Sequence, residues 1–383
     1  MKFKLILVVC FLLAVSLEVN AQQDSIKTKK KLSFRHHEDG AFDVSSFLLD
    51  HNGVLPVIIP ITEPAVGYGG ALAVLYFHKK KKKYKTFVAP DVTGLVGLYT
   101  SNKTWGAGAF HAHTFGENRV RTLTAVMKPN VRFKYYGTDN PILANNPIGI
   151  NLDSWVFYQQ AQARIGNSNF YLGGAYTYFT SEVSFVEIPD RDLLNEILAR
   201  LNTNSTISQI KPMAIYDNRN NTFTPTKGIL SELGYNYSAT WLGSDDDFGT
   251  LSTNFFGYLP ITEKLRSKYR FQGSFLFGDA PFYAYPFIDL RGIAAMRYQN
   301  ETTLVTETEW AYNVYNRWWV TAFGGTGKAF SDFNEFGSED WIYNIGTGFR
   351  YSLAKDLGLD MGTDFAWGNG KDFAFYIVFG TSW

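Results

Sequence analysis

From about Val54 onward, large apolar residues recur at every second position, in short runs separated by turn residues. In Tyr343–Leu353, Ile345, Thr347, Phe349, Tyr351 and Leu353 share one face, and Asn344, Gly346, Gly348, Arg350 and Ser352 share the other. In Leu357–Trp367 the bulky face is Leu357, Leu359, Met361, Phe365 and Trp367, against Gly358, Asp360, Gly362, Asp364 and Ala366. The closing run sets Phe373, Phe375, Ile377, Phe379 and Trp383 against Ala374, Val378, Gly380 and Ser382. A two-residue period is that of a strand with unlike faces. Counting such runs predicts about sixteen strands, an even number as bacterial barrels have.

What the bulky face touches decides the fold class. A soluble β-sandwich also alternates, but its second face meets water and tends to carry Lys, Glu and Thr. Here that face is mostly Gly, Ala and Ser with scattered Asp and Arg, which suits the concave side of a cylinder. Aromatic residues at run ends, such as Tyr312, Tyr315, Trp318, Trp319, Trp367 and Trp383, suit two interfacial girdles. Hydrocarbon offers no partner to the N–H and C=O groups of an open edge, so the sheet must close. The expected architecture is all-β: a transmembrane antiparallel β-barrel of outer-membrane type over residues 54–383. The longest connections, Tyr135–Leu152, Thr180–Ile210 and Ala280–Tyr298, fall on one side of it. A periplasmic N-terminus makes them extracellular.

The start of the chain supports export. Lys2 and Lys4 precede an apolar stretch from Leu5 to Leu17, and small residues lead to a cleavage point after Ala21. Residues 1–21 read as a signal peptide. Residues 22–53 are a periplasmic N-terminal segment, in which FDVSSFLLDHNG allows a short amphipathic helix at the barrel mouth or in the lumen. A mostly disordered linker is the other reading of this segment.

Composition then excludes several functions. The chain carries 23 Tyr, 32 Phe and 34 Gly, which fits many strands and tight turns. Its 36 Lys and Arg balance 35 Asp and Glu, so no basic excess calls for nucleic acid. Cys10 is the only cysteine and lies in the leader, which leaves the mature chain without disulfide or thiolate chemistry. His111 and His113 share a face but lack a third ligand nearby, so no metal site is assigned, and HHEDG at His36–Gly40 lies in the N-terminal segment. No Ser-His-Asp spacing rises above chance. The expectation is no enzyme and no cofactor, in a monomeric barrel surrounded by outer-membrane lipid.

Three further features bear on the wall and loops. Pro56 and Pro60 lie in the first run, where proline cannot donate to a ladder, and Gly380 weakens the last run. Together with Trp383 they mark the junction of first and last strands as poorly zipped. That junction is either a functional seam or a merely irregular closure. PDRDLLNEILARLNT, around 190–202, carries an apolar helical stripe that packs over the barrel top or binds a partner. Lys79–Lys83 is a solvated turn or holds anionic headgroups.

Three stretches resemble the outer-membrane assembly-factor superfamily, the bacterial surface antigen family (BamA/TamA-like). IYDNRNNTFTPTKGILSELGY, residues 215–235, is similar to that family's D-x-R…P-x-x-G periplasmic turn, here Asp217, Arg219, Pro225 and Gly228. Residues 290–330 resemble its sixth extracellular loop with an Arg-Gly-aromatic tip, here Arg291, Gly292 and Ile293, plus two strands. The ending from Gly346 to Trp383 is the third. The resemblance implies that the loop folds into the lumen and that Arg291 meets acidic wall residues. Glu307 and Glu309 lie two apart on one strand and so share a face, away from Trp310 and Tyr312. A charge on the lipid face costs up to a few kcal/mol near the midplane, which turns both glutamates inward. Two departures stand out: Ile293 supplies no ring, and Gly325 stands where some relatives carry Asp.

About thirty residues precede the barrel, too few for one of the family's periplasmic POTRA domains, which implies a barrel-only member. By resemblance, the first and last strands form a lateral gate. The terminal aromatics resemble a signal read by assembly-machinery subunits. The implied function is insertion or translocation of protein or lipid, with client barrel proteins as partners. A passive channel and a structural surface barrel are the alternatives.

Overall fold

The computed structural model describes residues 33–49, 53–78, 91–137, 143, 146–187, 204–370 and 372–383. The proposed leader, the Lys79–Lys83 run and the 190–202 stripe lie outside these residues. A short helix, α1 (Ser45–Leu49), precedes the strands. β1 (Gly53–Glu63), β2 (Gly67–His78), β3 (Asp91–Thr100) and β4 (Trp105–Phe115) open the sheet. β5 (Val120–Tyr135), β6 (Ile148–Arg164), β7 (Phe170–Glu187) and β8 (Asn204–Asp217) come next. β9 (Gly228–Ser238), β10 (Phe248–Pro260), β11 (Leu265–Gly278) and β12 (Thr302–Tyr315) follow. β13 (Trp318–Phe330), β14 (Ile342–Ala354), β15 (Leu359–Gly368) and β16 (Asp372–Phe379) end it.

All sixteen strands form one antiparallel sheet in sequence order. Its alternation is that of a barrel. Along β14, Tyr343, Ile345, Thr347 and Phe349 are exposed, while Asn344, Gly346, Gly348 and Arg350 are buried. A slip of one residue would reverse every one of these positions, so the greasy pattern itself fixes the register. The sheet is nearly closed. β1 and β16 lie side by side, yet among the described residues no ladder pairs them.

One rim carries the start of β1 and the end of β16, and is called the terminal rim below. At the far rim, β5, β6 and β7 run for 16, 17 and 18 residues. About ten tilted residues span a bilayer, so these strands overshoot it. Their inward residues, among them Phe133, Ile150, Leu152 and Phe179, pack against Phe282, Tyr283 and Met296 of the β11–β12 connection. That long connection therefore lies inside the wall. β6 begins at Ile148 and β7 reaches Glu187, so the two far-rim connections are shorter than the spans expected from sequence. Leu357 is not a lipid-facing strand residue: it sits in the β14–β15 turn, buried with Val44 and Leu48.

Candidate functional site in the barrel lumen

The residues LRSKYRF of β11 put Arg266, Lys268 and Arg270 on one face. The β11–β12 register sets Lys268 opposite Glu309 and Arg270 opposite Glu307, so charges of opposite sign meet rung by rung. Lys268 Nζ lies 2.9 Å from Glu309 Oε1, and Arg270 Nη2 lies 3.1 Å from Glu307 Oε2. Two strands further on, Arg350 grips Asp364 through two bonds, of 2.6 and 2.9 Å. All six groups are buried.

Arg291 descends from the β11–β12 connection into this wall. Its Nε donates to Glu307 at 3.0 Å. Its Nη1 donates to Glu309 at 2.7 Å and to Asp364 at 2.8 Å. The Phe323 ring lies under the guanidinium, 3.4 Å from centroid to Cζ. Asn344 ties the loop backbone to the wall, donating to Arg291 O at 2.9 Å and Glu307 Oε1 at 2.8 Å. Gly292 has φ +88°, and an added Cβ would lie 3.0 Å from Gly368 N, so a side chain at this tip would be strained and press on the β15 backbone. Its N–H donates to Tyr376 Oη at 2.9 Å. Ile293 packs in an apolar cluster with Ile288, Leu290, Val305 and Ile342, where a bulky aliphatic serves. Gly325 stands opposite Glu307, and a Cβ there would come within 2.9 Å of the Glu307 side chain. The small residue leaves room for the glutamate.

The end of the chain joins the same network, which corrects the expectation for Trp383. The strand stops at Phe379, Gly380 takes φ +75°, and the last residues turn into the lumen. Ser382 Oγ donates to Glu309 Oε2 at 2.8 Å, and Trp383 Nε1 donates to Glu307 Oε2 at 2.5 Å. Trp383 thus belongs neither to an interfacial girdle nor to the lipid face of the junction. Trp319 is likewise turned inward, its ring under Arg266 at 4.1 Å. Alternation predicts a greasy outward Trp383, and one left-handed glycine cancels it.

The turn motif sits at the terminal rim. Arg219 makes a two-pronged bond to Asp217, at 2.8 and 2.9 Å. Pro225 is buried. Gly228 has φ +108°, and a Cβ there would lie 2.6 Å from Asn218 O. The turn so held reaches across the mouth to the other side of the barrel. Asn221 Nδ2 donates to Leu357 O at 2.8 Å, and Thr224 Oγ1 accepts from Asp360 N at 3.1 Å. Gly380 lies against it, where a Cβ would meet Phe223 O at 2.6 Å.

At the junction, Pro56 and Pro60 keep β1 in unbroken register with β2, opposite Val74 and Gly70. Across it, on the outer surface, Tyr68 of β2 stacks on Phe375 of β16 at 5.5 Å. His111 and His113 face outward: Thr93 Oγ1 lies between His78 and His111, at 2.8 and 2.9 Å, and His113 pairs with Asp91 at 3.0 Å. Among the described residues no group of His, Cys, Asp and Glu could hold a metal ion.

Residues 110–286, from β4 into the lumen connection, match the Omp85 superfamily domain. No curated protein sequence matches the chain. Among solved structures it is similar to BamA from Haemophilus ducreyi lacking POTRA domains 1-3, with TM-score 0.58 and 12% identity. That match covers 86% of this chain and 70% of the other. CdiB from Acinetobacter baumannii gives TM-score 0.56 at 10% identity, covering 85% of this chain and 59% of that one. CdiB from Escherichia coli gives 0.55 at 9%, with 85% and 61% covered. At such identities the likeness is one of fold, and the chain spans about three fifths of each CdiB chain.

The sequence reading brings Arg291, Glu307 and Glu309 forward and misses their neighbours. Nothing local in the sequence joins Lys268, Arg270 and Tyr376 to them, since contacts between distant strands depend on closure of the sheet.

Proposed function

We propose that this Omp85 barrel assists insertion or translocation of protein or lipid at the outer membrane, through the junction of β1 and β16, with the terminal rim in the periplasm. One observation carries the reading: among the described residues, fifteen consecutive strand pairs are laddered and β1 and β16 are not. An unpaired edge in hydrocarbon costs several kcal/mol per group, so a chain retains it only where something else pairs there. Client barrel proteins, with lipid, are the partners this predicts. The Arg291 network, the Asn221 turn and the inward loop supply a rigid C-terminal wall against which β1 can move.

A passive channel fits less well, because the loop, the ion pairs and the curled chain end occupy the lumen. Folding of a denatured client barrel into liposomes tests the proposal. Proteoliposomes containing this protein should accelerate folding over empty liposomes, and equal rates remove the reading. Steady conductance in planar bilayers would favour the channel instead.

A further inference from the structure

We propose that residues 33–49 are a latch that clamps the β1–β16 junction at the terminal rim. The segment is docked on turns of the C-terminal wall, and a few residues later it becomes β1. Arg317, in the β12–β13 turn, is the main anchor. It donates to both carboxylate oxygens of Asp39, at 2.7 and 2.9 Å, and to Asp43 at 2.6 Å. The β14–β15 turn is the second anchor. Lys355 N donates to Asp43 at 3.0 Å, and Asp356 N donates to Ser45 Oγ at 3.1 Å. Tyr351 and Val44 add bonds to Phe42 O and Leu353 O. Beneath these, Leu48 packs on Ala354 and Leu357.

The other end of the segment belongs to the opposite side of the junction. Phe47 and Leu48 also pack on the inward apolar cluster of β1 to β5, which includes Leu55 and Leu75. Gly53 begins β1 only four residues after Leu49. A chain extends at most about 3.6 Å per residue, so β1 cannot travel more than roughly 14 Å from the anchored helix. Because β1 and β16 share no ladder, the latch holds at one rim what hydrogen bonds hold in every other strand pair. Opening the junction at this rim beyond that reach requires the Asp39, Asp43 and Ser45 contacts to break. The latch does not depend on what crosses the junction.

Hydrogen–deuterium exchange of the full chain in nanodiscs tests this. Arg317→Ala should speed exchange in peptides 33–49, and also in β1 and β16, by about tenfold, leaving β5–β7 unchanged. A Ser45→Cys/Asp356→Cys pair should form a disulfide, because the two residues are in contact, and Cys10 is the only native cysteine that could compete. Oxidised, it should slow exchange in β1 and β16, and reduction should restore it. Faster exchange of 33–49 with β1 and β16 unmoved overturns the latch. So does an oxidised pair that leaves β1 and β16 as they were. Should Arg317→Ala fail to fold, the disulfide pair decides alone.

Discussion

The indole of Trp383 donates to Glu307, the same carboxylate that receives Arg291 from the lumen loop. The end of the chain and the tip of the loop are therefore held by one side chain. Trp383→Phe keeps the ring and removes the N–H. A hydrogen bond to a buried charge is worth about 1.5–3 kcal/mol, so the variant should be less stable by that margin and unfold at a lower temperature. Loss of the compact band on heating in detergent gels measures it. An unchanged transition would mean that the tail contributes nothing to the wall.

The Arg291 cluster should respond non-additively. Arg291→Ala leaves Glu307, Glu309 and Asp364 buried with fewer cations, and Glu309→Gln strands Lys268. Breaking a buried pair from one side costs about 3–5 kcal/mol. The double variant should cost clearly less than the two single losses together, because each single change leaves charge the other removes. Arg291→Ala should also open residues 279–301 to protease. Additive losses with an intact loop would show that the groups are near but uncoupled.

How much of this is written in the sequence differs by element. The alternation of β14 and β15 sets which residues face inward, because a period of two is local and a hydrocarbon-facing wall tolerates few exceptions. Glu307 and Glu309 are legible for that reason, being two apart on one strand. Their partners are not. Lys268 meets Glu309 through a register that depends on the turn between distant runs, and Asp364 reaches Arg291 only once the sheet curls. Trp383 is misread because periodicity carries no sign of the left-handed Gly380 that ends the strand. Within the segment 33–49 the short helix of FDVSSFLLDHNG is legible and appears as α1, but where the segment docks is not. Its place comes from Asp39 and Asp43 meeting Arg317, far away along the chain.

Gly380 is the point where that last error can be tested. Its φ is +75°, and a Cβ would press on Phe223 O. Gly380→Val should straighten the end of β16, at a strain of about 1–3 kcal/mol if the turn is kept. Ser382 and Trp383 would then leave Glu309 and Glu307. Trp383 emission, read as the difference from a Trp383→Phe/Gly380→Val control, should shift as the ring changes surroundings. An unshifted spectrum would show that the inward turn is set by something other than this glycine.

Acid should release the segment 33–49. Hydrogen bonds from Arg317 hold the Asp39 carboxyl well below its usual range. Burial pushes Asp43 up, but bonds from Ser45, Lys355 and Arg317 outweigh it and leave that carboxyl lowered too. Glu38 is lowered by its hydrogen bond from Lys355, and His36, His37 and Asp356 lie at the same face. A carboxyl whose pKa is lower when docked binds protons better when released. Docking is therefore at full strength above the free carboxyl value, about 4, and weakens as pH falls below it. A nitroxide at Ser33→Cys should give an immobile spectrum at neutral pH and a sharpening one below about pH 4. Adding Asp39→Asn and Asp43→Asn should give the mobile spectrum already at neutral pH. A label that is still immobile at neutral pH in the Asp39→Asn/Asp43→Asn variant would show that the charge pairs are not what docks this segment.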